Sequence, residues 1–328
     1  MSFHVKFNQQ FYAKPTWIKL LIPLSYFYLL IIFFRNFLYS VGALQSKKVS
    51  VPVIIIGNIT VGGTGKTPLL IAIASHFSSI GLKPGIISRG YKSSNANARE
   101  VTNSSKFKDV GDEPFMIKRH LGIPVFVGEK RFSTAELLLK YYPDIDFILS
   151  DDGLQHLELA RDYEIVVVDK TRGFGNNYLL PAGPLREPIK RLNSINAIVA
   201  NGERRSTKNS FGMYYNASDK IRSAFENNYL KISHLKNTQL YAATGTGNPE
   251  RFFSLLKDFG LTFDRLIFDD HHNFSNEDFS QCRNKIIIMT EKDAVRCLHL
   301  KNKNIWYLPI MAIVDKKLFT DIKNKIGL

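Results

Sequence analysis

A glycine-rich turn near the beginning of the chain has the residue types and the spacing that bind phosphate groups. The turn reads GGTGKT over residues 62–67, and it follows an apolar run of strand length at residues 53–56. The next segment, residues 69–80, has the apolar periodicity of a helix. A strand, a glycine-rich turn, Lys-Thr and a helix in this order are typical of a P-loop, in which backbone N–H groups and the helix N-terminus hold phosphates.

The P-loop hypothesis gives each residue of the turn a role. Lys66 would contact the β- and γ-phosphates of a nucleotide, and the Thr67 hydroxyl would bind Mg²⁺. The expected nucleotide-binding residues of the turn are Gly62, Gly63, Thr64, Gly65, Lys66 and Thr67. The turn is atypical, because Thr60 stands where the common P-loop has its first glycine and Val61 stands where the variant K-G-G-x-G-K-T has lysine.

Two adjacent carboxylates, Asp151 and Asp152, closely follow an apolar segment at residues 145–149. Acidic residues at the carboxyl end of a buried strand, downstream of a P-loop, are typical of a Walker-B site that binds the metal ion. A solvated turn is the alternative, but two neighbouring carboxylates repel each other unless they share a cation. Asp169, at the end of the apolar run 165–168, is a competing candidate for this position.

Asp112 and a pair of histidines are further candidates, each with an ordinary alternative. Asp112 precedes Glu113 and Pro114, a pattern that by itself favours a helix N-cap. His271 and His272 follow two aspartates, but no cysteine or H-x-x-x-H spacing supports a zinc site there. A solvated loop and a histidine that transfers a proton or contacts phosphate both fit this pair.

The order of strands and helices predicts the scaffold that must hold these residues. Apolar runs of strand length alternate with helical segments, which favours a parallel sheet with right-handed crossovers. We therefore expect an α/β, P-loop NTPase-like fold with a doubly wound, mostly parallel sheet and a second, smaller α/β domain. Ligands bind beyond the carboxyl ends of such strands, where Lys66, Asp112 and Asp151 fall. The predicted divisions are an N-terminal apolar segment at 1–45, a P-loop core at 46–205, and a C-terminal domain with its connecting region at 206–328.

An apolar stretch at residues 17–38 is predicted to form a membrane-associated helix. Its uncharged part, residues 20–34, contains Pro23 and is shorter than the about 20 residues that a spanning helix needs. Basic residues flank it on both sides without the asymmetry that would orient a span. A helix lying in the interface, with Trp17 and tyrosines at headgroup level, fits this symmetry, and a tilted span or a buried core helix are the alternatives.

The charge and the cysteine content limit the partners and the compartment. The chain of 328 residues has 44 Lys and Arg against 29 Asp and Glu, a formal net charge of +15, which implies an acidic partner. Nucleic acid, anionic lipid and a phosphorylated substrate all qualify, but no nucleic-acid recognition module is visible and the charge is dispersed. Cys282 and Cys297 have no metal-binding spacing, which indicates reduced thiols in a cytosolic compartment.

Taken together, the motifs resemble those of the tetraacyldisaccharide 4'-kinases, which phosphorylate a lipid A precursor. The matching stretches run in order from residue 57 to residue 295 and read GNITVGGTGKTP, SRGY, GDEP, DDGLQH, RGFGNNYLLPAGPLREP, GTGNPERFF, DDHHNF and TEKDAV. The N-terminal apolar segment is also similar to the membrane-associated first helix of that family.

The resemblance implies an activity, cofactors and partners. It implies transfer of the γ-phosphate of ATP, with Mg²⁺, to the 4'-hydroxyl of a tetraacyldisaccharide 1-phosphate at the cytoplasmic face of the bacterial inner membrane. The expected partners are this glycolipid and the membrane surface, with no nucleic acid and no obligate protein partner. The runner-up hypothesis is a membrane-associated P-loop ATPase or GTPase that acts as a switch. Val61 and the Asp/His cluster of the second domain argue against this hypothesis.

Position by position, the resemblance also implies roles for the candidate residues. Asp112 is similar to the family's catalytic base and His271 to its histidine partner, which outweighs the N-cap interpretation of Asp112. Lys66 and Thr67 correspond to nucleotide and metal residues. The remaining implied roles are the metal site for Asp151 and Asp152, and the nucleotide site for Arg186 and Glu187. Asn177 stands where the family usually has glycine, and asparagine is the next-best residue at positive φ.

Overall fold

The computed structural model describes residues 11–12, 17–90, 97–246, 249–282, 284–300 and 302–328. Its strands are β1 (Val53–Gly57), β2 (Pro84–Ser88), β3 (Arg99–Glu100), β4 (Val125–Val127), β5 (Phe147–Asp151), β6 (Tyr163–Asp169), β7 (Ala197–Asn201), β8 (Phe211–Ala217), β9 (Lys220–Ser223), β10 (Tyr229–Lys231), β11 (Leu240–Thr244), β12 (Asp264–Ile267), β13 (Ile286–Thr290), β14 (Ile305–Leu308) and β15 (Ile310–Val314). Its α-helices are α1 (Ile22–Ser40), α2 (Lys66–Ser79), α3 (Phe107–Val110), α4 (Asp112–Leu121), α5 (Arg131–Tyr141), α6 (Pro249–Asp258), α7 (Glu291–Arg296) and α8 (Lys316–Ile326). Tyr91 of the SRGY stretch and Asn248 of the GTGNPERFF stretch lie outside the described residues.

The larger sheet has nine strands in the order β15-β8-β7-β6-β1-β5-β2-β4-β3. The strands from β8 to β4 are parallel to their neighbours, and β15 and β3 pair antiparallel at the two edges. Strand β1 is buried along its whole length, because Ile54 and Ile56 enter one core with α2, α4 and α8, and Val53 and Ile55 enter another with α1 and α5. The predicted doubly wound α/β fold is confirmed.

The smaller sheet has six strands in the order β10-β9-β14-β13-β11-β12. Strands β14, β13, β11 and β12 are parallel, and β9 and β10 are antiparallel to their neighbours. We call residues 220–308, which contain this sheet, the second unit, and we call the part of the chain around the larger sheet the P-loop unit.

The grouping of strands differs from the predicted division at residue 205. Strand β8 lies in the larger sheet, and after the second unit the chain returns to that sheet as β15. Leu318 and Ile322 of α8 then pack into the same core as α2. The predicted connecting region after residue 205 contains β8, β9 and β10.

Helix α1 follows a 3₁₀ turn at Trp17–Leu21 and has Pro23 in its first turn. Pro23 does not interrupt the helix, because the first turn has no helical partner for the N–H that proline lacks. Trp17–Ser40 is long and apolar enough, by length and composition, to cross a membrane. Its most apolar 18-residue stretch has a mean hydropathy of 2.0, and 17% of that stretch is buried. The most exposed large apolar side chains of this segment are Leu20, Tyr26, Phe27, Leu30, Phe33 and Phe34.

Candidate active site

The P-loop lies between β1 and α2 at the carboxyl edge of the larger sheet, where the sequence predicts it. Gly65 has a φ of 100°, and a Cβ atom there would lie 2.4 Å from the Tyr215 hydroxyl and 2.6 Å from Asn201 Nδ2. A side chain at this position would therefore clash as well as strain the backbone. Asn201 Nδ2 also donates to the Thr64 carbonyl at 2.8 Å, which fixes the turn from the side of β7.

The two atypical residues of the loop, Thr60 and Val61, are held through their backbones. Thr60 forms a β-bridge with Leu185, and the Val61 N–H donates to the Pro184 carbonyl at 2.8 Å. The Arg186 N–H donates in turn to the Ile59 carbonyl at 2.7 Å. The entry to the P-loop therefore rests on the segment that carries Arg186.

Lys66, Asp152 and Arg186 form one charge cluster beside the P-loop. Lys66 Nζ lies 3.4 Å from Asp152 Oδ1, and Arg186 Nη1 donates to Asp152 Oδ2 at 3.1 Å. Burial acts to raise the pKa of Asp152, but the charges of Lys66 and Arg186 outweigh it and lower that pKa below its ordinary value. Asp152 has a positive φ of 49°, a strained conformation for a residue with a side chain, of the kind that is found at functional sites.

Asp151, the last residue of β5, has the environment of a cation ligand. Its side chain is 3% exposed, and its Oδ1 atom has no hydrogen-bond partner among the described residues. Burial and the carboxylates of Glu113 and Asp152 raise the pKa of Asp151 above its ordinary value, against the lowering effect of Lys66 and Arg131. A bound cation would give the Oδ1 atom a partner and would reduce the repulsion between the carboxylates.

These residues fit a magnesium ion that a nucleotide helps to hold. Thr67, Asp151 and Asp152 all line the same cavity. In the part of the chain that the structure describes, no group of three or more His, Cys, Asp or Glu side chains could hold a metal ion by itself. Mg²⁺ usually binds one or two carboxylates, and substrate phosphates and water supply its other ligands, which agrees with this arrangement.

Asp112 and His271 come from different units and are in direct contact, with His271 Nδ1 3.0 Å from Asp112 Oδ2. Asp112 is the first residue of α4 and not its N-cap, a position that Gly111 occupies. Its other oxygen, Oδ1, accepts the backbone N–H of Glu113 at 2.9 Å. His271 has a φ of 61°, so the loop after β12 holds this histidine in a strained conformation that points it at α4.

The two adjacent histidines face different carboxylates. His272 Nε2 lies 3.0 Å from Asp278 Oδ2, within the second unit, whereas His271 faces Asp112 across the boundary between units. The pair therefore does not converge on one point, as two ligands of one zinc ion would. This arrangement favours the proton-transfer hypothesis for His271.

Charged side chains of α7 reach across to α4 on either side of the Asp112–His271 pair. Lys292 Nζ donates to Glu113 Oε1 at 2.8 Å, and Arg296 Nε lies 3.3 Å from Asp112 Oδ2. At the other end of α4, His120 Nδ1 lies 3.3 Å from Glu291 Oε1. Paired charges around Asp112 are thus one part of the contact between the two units.

These charges keep Asp112 ionised. Burial acts to raise the pKa of Asp112, but the hydrogen bond from His271 and the charges of Lys292, His271 and Arg296 outweigh it and lower the pKa to about 2. At neutral pH, Asp112 is therefore a carboxylate that can accept a proton. A carboxylate with so low a pKa is a weak base on its own.

The segment that carries Arg186 and Glu187 is supported by the N-terminal helix. Ser25 Oγ donates to the Leu179 carbonyl at 2.8 Å, and the Tyr28 hydroxyl donates to the Arg186 carbonyl at 3.2 Å. Asn177 has a φ of 63°, which is the positive φ for which asparagine is suited. One face of α1 therefore packs on the candidate site, and its other face is exposed.

Glu187 and Asp169 do not line the cavity. Glu187 is buried and accepts a hydrogen bond from Gln155 Nε2 at 2.8 Å, so it holds the turn after β5 in place. Asp169, the competing metal candidate, accepts the backbone N–H groups of Thr171 and Arg172 at 2.9 and 3.2 Å. The geometry therefore favours Asp151 and Asp152 over Asp169 as metal ligands.

One large cavity connects the P-loop with the Asp112–His271 pair. Its volume is about 3300 Å³. Residues that line it include Lys66, Thr67, Asp112, Asp151, Asp152, Arg186 and His271. Sites for small molecules measure about 300–1,000 Å³, so this cavity has room for a nucleotide together with a larger second substrate.

Sequence reasoning missed several residues that shape the site. Arg131 is buried and donates to the backbone carbonyls of Gly128 and Asp151 at 3.1 and 3.0 Å. Lys292 lies in the TEKDAV stretch, but nothing in that pattern indicates that it reaches Glu113. Only the packing of α7 on α4 brings Lys292 to Glu113.

Comparisons with known proteins agree over nearly the whole chain. The family described as tetraacyldisaccharide-1-P 4'-kinase matches residues 17–327. A relative named tetraacyldisaccharide 4'-kinase from Methylobacillus flagellatus is 41% identical and covers 97% of this chain and 94% of its own length. A relative of the same name from Pasteurella multocida is 41% identical and covers 92% of this chain and 93% of its own length.

A solved structure has the same fold. It is described as an "apo" form of LpxK from Aquifex aeolicus in complex with ATP. It superposes with a TM-score of 0.81 at 29% identity, covering 95% of this chain and 100% of the other.

Proposed function

The chain belongs to the tetraacyldisaccharide 4'-kinase family, and we propose how its residues carry out that family's reaction. The enzyme transfers the γ-phosphate of ATP to the 4'-hydroxyl of a tetraacyldisaccharide 1-phosphate in lipid A synthesis. The observation that supports the residue assignment best is the contact between Asp112 and His271 in the cavity that also contains the P-loop. This contact supports the proposal that a proton acceptor and a phosphate site share one space.

In the transfer step, the 4'-oxygen attacks the γ-phosphorus, the bond from the γ-phosphorus to the bridging oxygen breaks, and ADP leaves. The proton of the 4'-hydroxyl passes to the Asp112–His271 pair. Asp112, whose pKa is about 2, holds a proton poorly, so His271 shares it. Because the two residues come from different units, the pair is complete only where the units meet.

The P-loop residues bind and orient ATP. The backbone of Gly62, Gly63, Thr64 and Gly65 holds the phosphates, and Lys66 stabilises the charge that moves onto the bridging oxygen. Arg186 keeps Asp152 in place beside Lys66, and Glu187 holds the turn after β5. Thr67, Asp151 and Asp152 would hold Mg²⁺, which neutralises phosphate charge when it is bound with ATP.

Product analysis tests the proposed function directly. Purified protein is incubated with γ-labelled ATP, Mg²⁺ and a tetraacyldisaccharide 1-phosphate, and the lipids are separated by thin-layer chromatography. We expect label in a glycolipid, none without Mg²⁺, and none with a lipid that lacks a free 4'-hydroxyl. Release of labelled inorganic phosphate alone would instead support an ATPase switch and contradict the kinase.

In this proposal the exposed face of α1 binds the enzyme to the cytoplasmic side of a membrane, where ATP is available. Exposed apolar side chains cover this face, and Ser25 and Tyr28 on the opposite face contact the site. An acylated substrate in the bilayer would thereby lie next to the cavity. The excess of basic residues strengthens attraction to anionic lipid.

We predict that polar substitution of this face weakens membrane binding without disturbing the site. The variant carries Phe27→Gln, Leu30→Gln, Phe33→Gln and Phe34→Gln, and it keeps the contacts of Ser25 and Tyr28. Protein should move from the membrane to the soluble fraction, because apolar burial in the interface is lost. The apparent KM for the glycolipid should rise more than the KM for ATP.

A matched control separates this face from general surface hydrophobicity. Tyr141 and Tyr229 are 63% and 61% exposed and lie outside α1, so Tyr141→Gln with Tyr229→Gln should leave membrane binding unchanged. If high salt alone removes the native protein from vesicles, charge and not the apolar face is the anchor.

A further inference from the structure

Arg296 is a buried cation whose position cannot be read from any motif of the chain. It ends α7, and its side chain is 3% exposed. Burying a guanidinium group costs free energy unless charged or hydrogen-bonding partners surround it. The partners of Arg296 therefore indicate what the residue is for.

Three polar partners surround the guanidinium group, and they belong to both units. Nη2 donates to Asp293 Oδ1 at 2.7 Å, and Nη1 donates to the His272 carbonyl at 3.3 Å. Nε lies 3.3 Å from Asp112 Oδ2, so the two groups form an ion pair. The geometry of this contact does not meet the criteria for a hydrogen bond. Arg296 thus touches the carboxylate of Asp112 and the backbone next to His271 at the same time.

Asp293 fixes the orientation of this guanidinium group. Asp293 is completely buried, and its Oδ2 accepts hydrogen bonds from Thr244 and Thr290 hydroxyls and from the Gly245 N–H, at 3.0, 2.7 and 3.1 Å. With Asp293 held by four donors including Arg296, the guanidinium plane cannot turn without breaking a charged hydrogen bond. Its Nε edge is therefore presented to Asp112.

We infer that Arg296 is a positioning residue for phosphoryl transfer: it joins the His271 loop to Asp112 and keeps Asp112 ionised, so that the substrate proton is held by His271. This inference rests on the proposed role of the Asp112–His271 pair. His271 and Arg296 approach the same oxygen of Asp112, at 3.0 and 3.3 Å. A proton on that oxygen would lie beside a fixed positive charge, whereas a proton on the imidazole keeps the carboxylate paired with both cations.

The groups that face Asp112 define the expected pH effect. They are His271 on the loop after β12 and Lys292 and Arg296 on α7, and the carboxylates of Glu113 and Asp270 in turn act on Lys292. Arg296 pairs with Asp112 and with Asp293, which is fully buried, whereas Lys292 pairs with the partly exposed Glu113. Removal of the Arg296 charge should favour the protonated form of the Asp112–His271 pair and raise the apparent pKa that the two residues share.

The test compares Arg296→Met and Arg296→Lys with the native enzyme. For Arg296→Met, kcat should fall by about 10- to 100-fold with the KM for ATP little changed, because the acceptor is misplaced and the P-loop is not. The acid limb of its kcat/KM profile should move to higher pH by about 1 unit, since the opposite charge near Asp112 is lost. Arg296→Lys keeps the charge and should restore the acid limb and part of kcat.

Arg296→Met leaves Asp293 buried without its charge partner, so a further variant guards against unfolding. Arg296→Met with Asp293→Asn removes both buried charges and should show the same displaced acid limb. Arg265 pairs with Glu250 at 2.9 Å in the same unit, away from Asp112, and Arg265→Met serves as the matched control with native kcat and pH profile.

The results can contradict the role of Arg296 and the role of the Asp112–His271 pair separately. A loss of kcat with an unmoved acid limb, or no rescue by Arg296→Lys, would overturn the inference and leave the kinase assignment standing. If Asp112→Ala keeps native activity in the same assay, the proposed function of the pair fails, and the inference about Arg296 fails with it.

Discussion

Lys66→Ala is expected to abolish phosphoryl transfer while the fold stays intact, with kcat lower by at least about a hundredfold. Lys66 lies at the start of α2, with its ammonium group 3.4 Å from Asp152 and inside the cavity. In the transition state its ammonium group would stabilise the charge that develops on the transferred phosphoryl group. The measurements are kcat with saturating ATP and glycolipid, and thermal unfolding.

Retention of the fold follows from the remaining contacts. Without Lys66, Asp152 keeps its ion pair with Arg186 at 3.1 Å, so this carboxylate retains a charged partner. Lys83→Ala is the matched control, because Lys83 lies in the same unit and pairs with Asp144 on the surface at 2.8 Å. A Lys66→Ala enzyme that keeps more than about a tenth of kcat, ~1.4 kcal/mol of barrier or less, would contradict the P-loop assignment.

The parts of the fold that sequence predicts well are those set by local pattern. The run Val53–Gly57, the glycine-rich turn and α2 are neighbours in the chain, so their periodicity and turn chemistry specify the P-loop together. The same holds for β5 and the Asp151–Asp152 turn. The pattern cannot tell that α8 packs under α2, because that contact joins segments far apart in the chain.

The candidate site shows the same limit. Pattern alone favours an N-cap for Asp112, and only resemblance to a family suggested proton transfer; the structure places Gly111 at the N-cap and His271 against Asp112. Arg296 and Lys292 could not be found from sequence, because their roles depend on the register between α4 and α7. A helix of six residues with mixed charge has no pattern that indicates such a register.

Asp112→Ala and His271→Ala are each expected to lower kcat by about 10² or more, with ATP affinity little changed. A sugar hydroxyl is a poor nucleophile until its proton has an acceptor, and the two residues supply that acceptor as a hydrogen-bonded pair at 3.0 Å. Neither residue belongs to the P-loop, so nucleotide binding should survive. The measurements are kcat, the KM for both substrates, and ATP binding by calorimetry.

His272→Ala is the matched control for His271→Ala. His272 is the next residue, but its imidazole pairs with Asp278 at 3.0 Å and does not contact Asp112. Its truncation removes a ring of the same size from the same loop. We expect this variant to keep most of the native kcat, which would show that the loss in His271→Ala comes from the contact with Asp112.

The double variant Asp112→Ala with His271→Ala decides whether the two residues act as one unit. If the proton passes to the pair, the first substitution already removes the acceptor, and the second should cost little more. The double variant should then be barely slower than the slower single variant. Two independent roles would instead multiply, about 10⁴-fold or more in total, and that result would contradict the pair. A His271→Ala enzyme that fails only in ATP binding would contradict it as well, because the imidazole would then serve the nucleotide and not the proton.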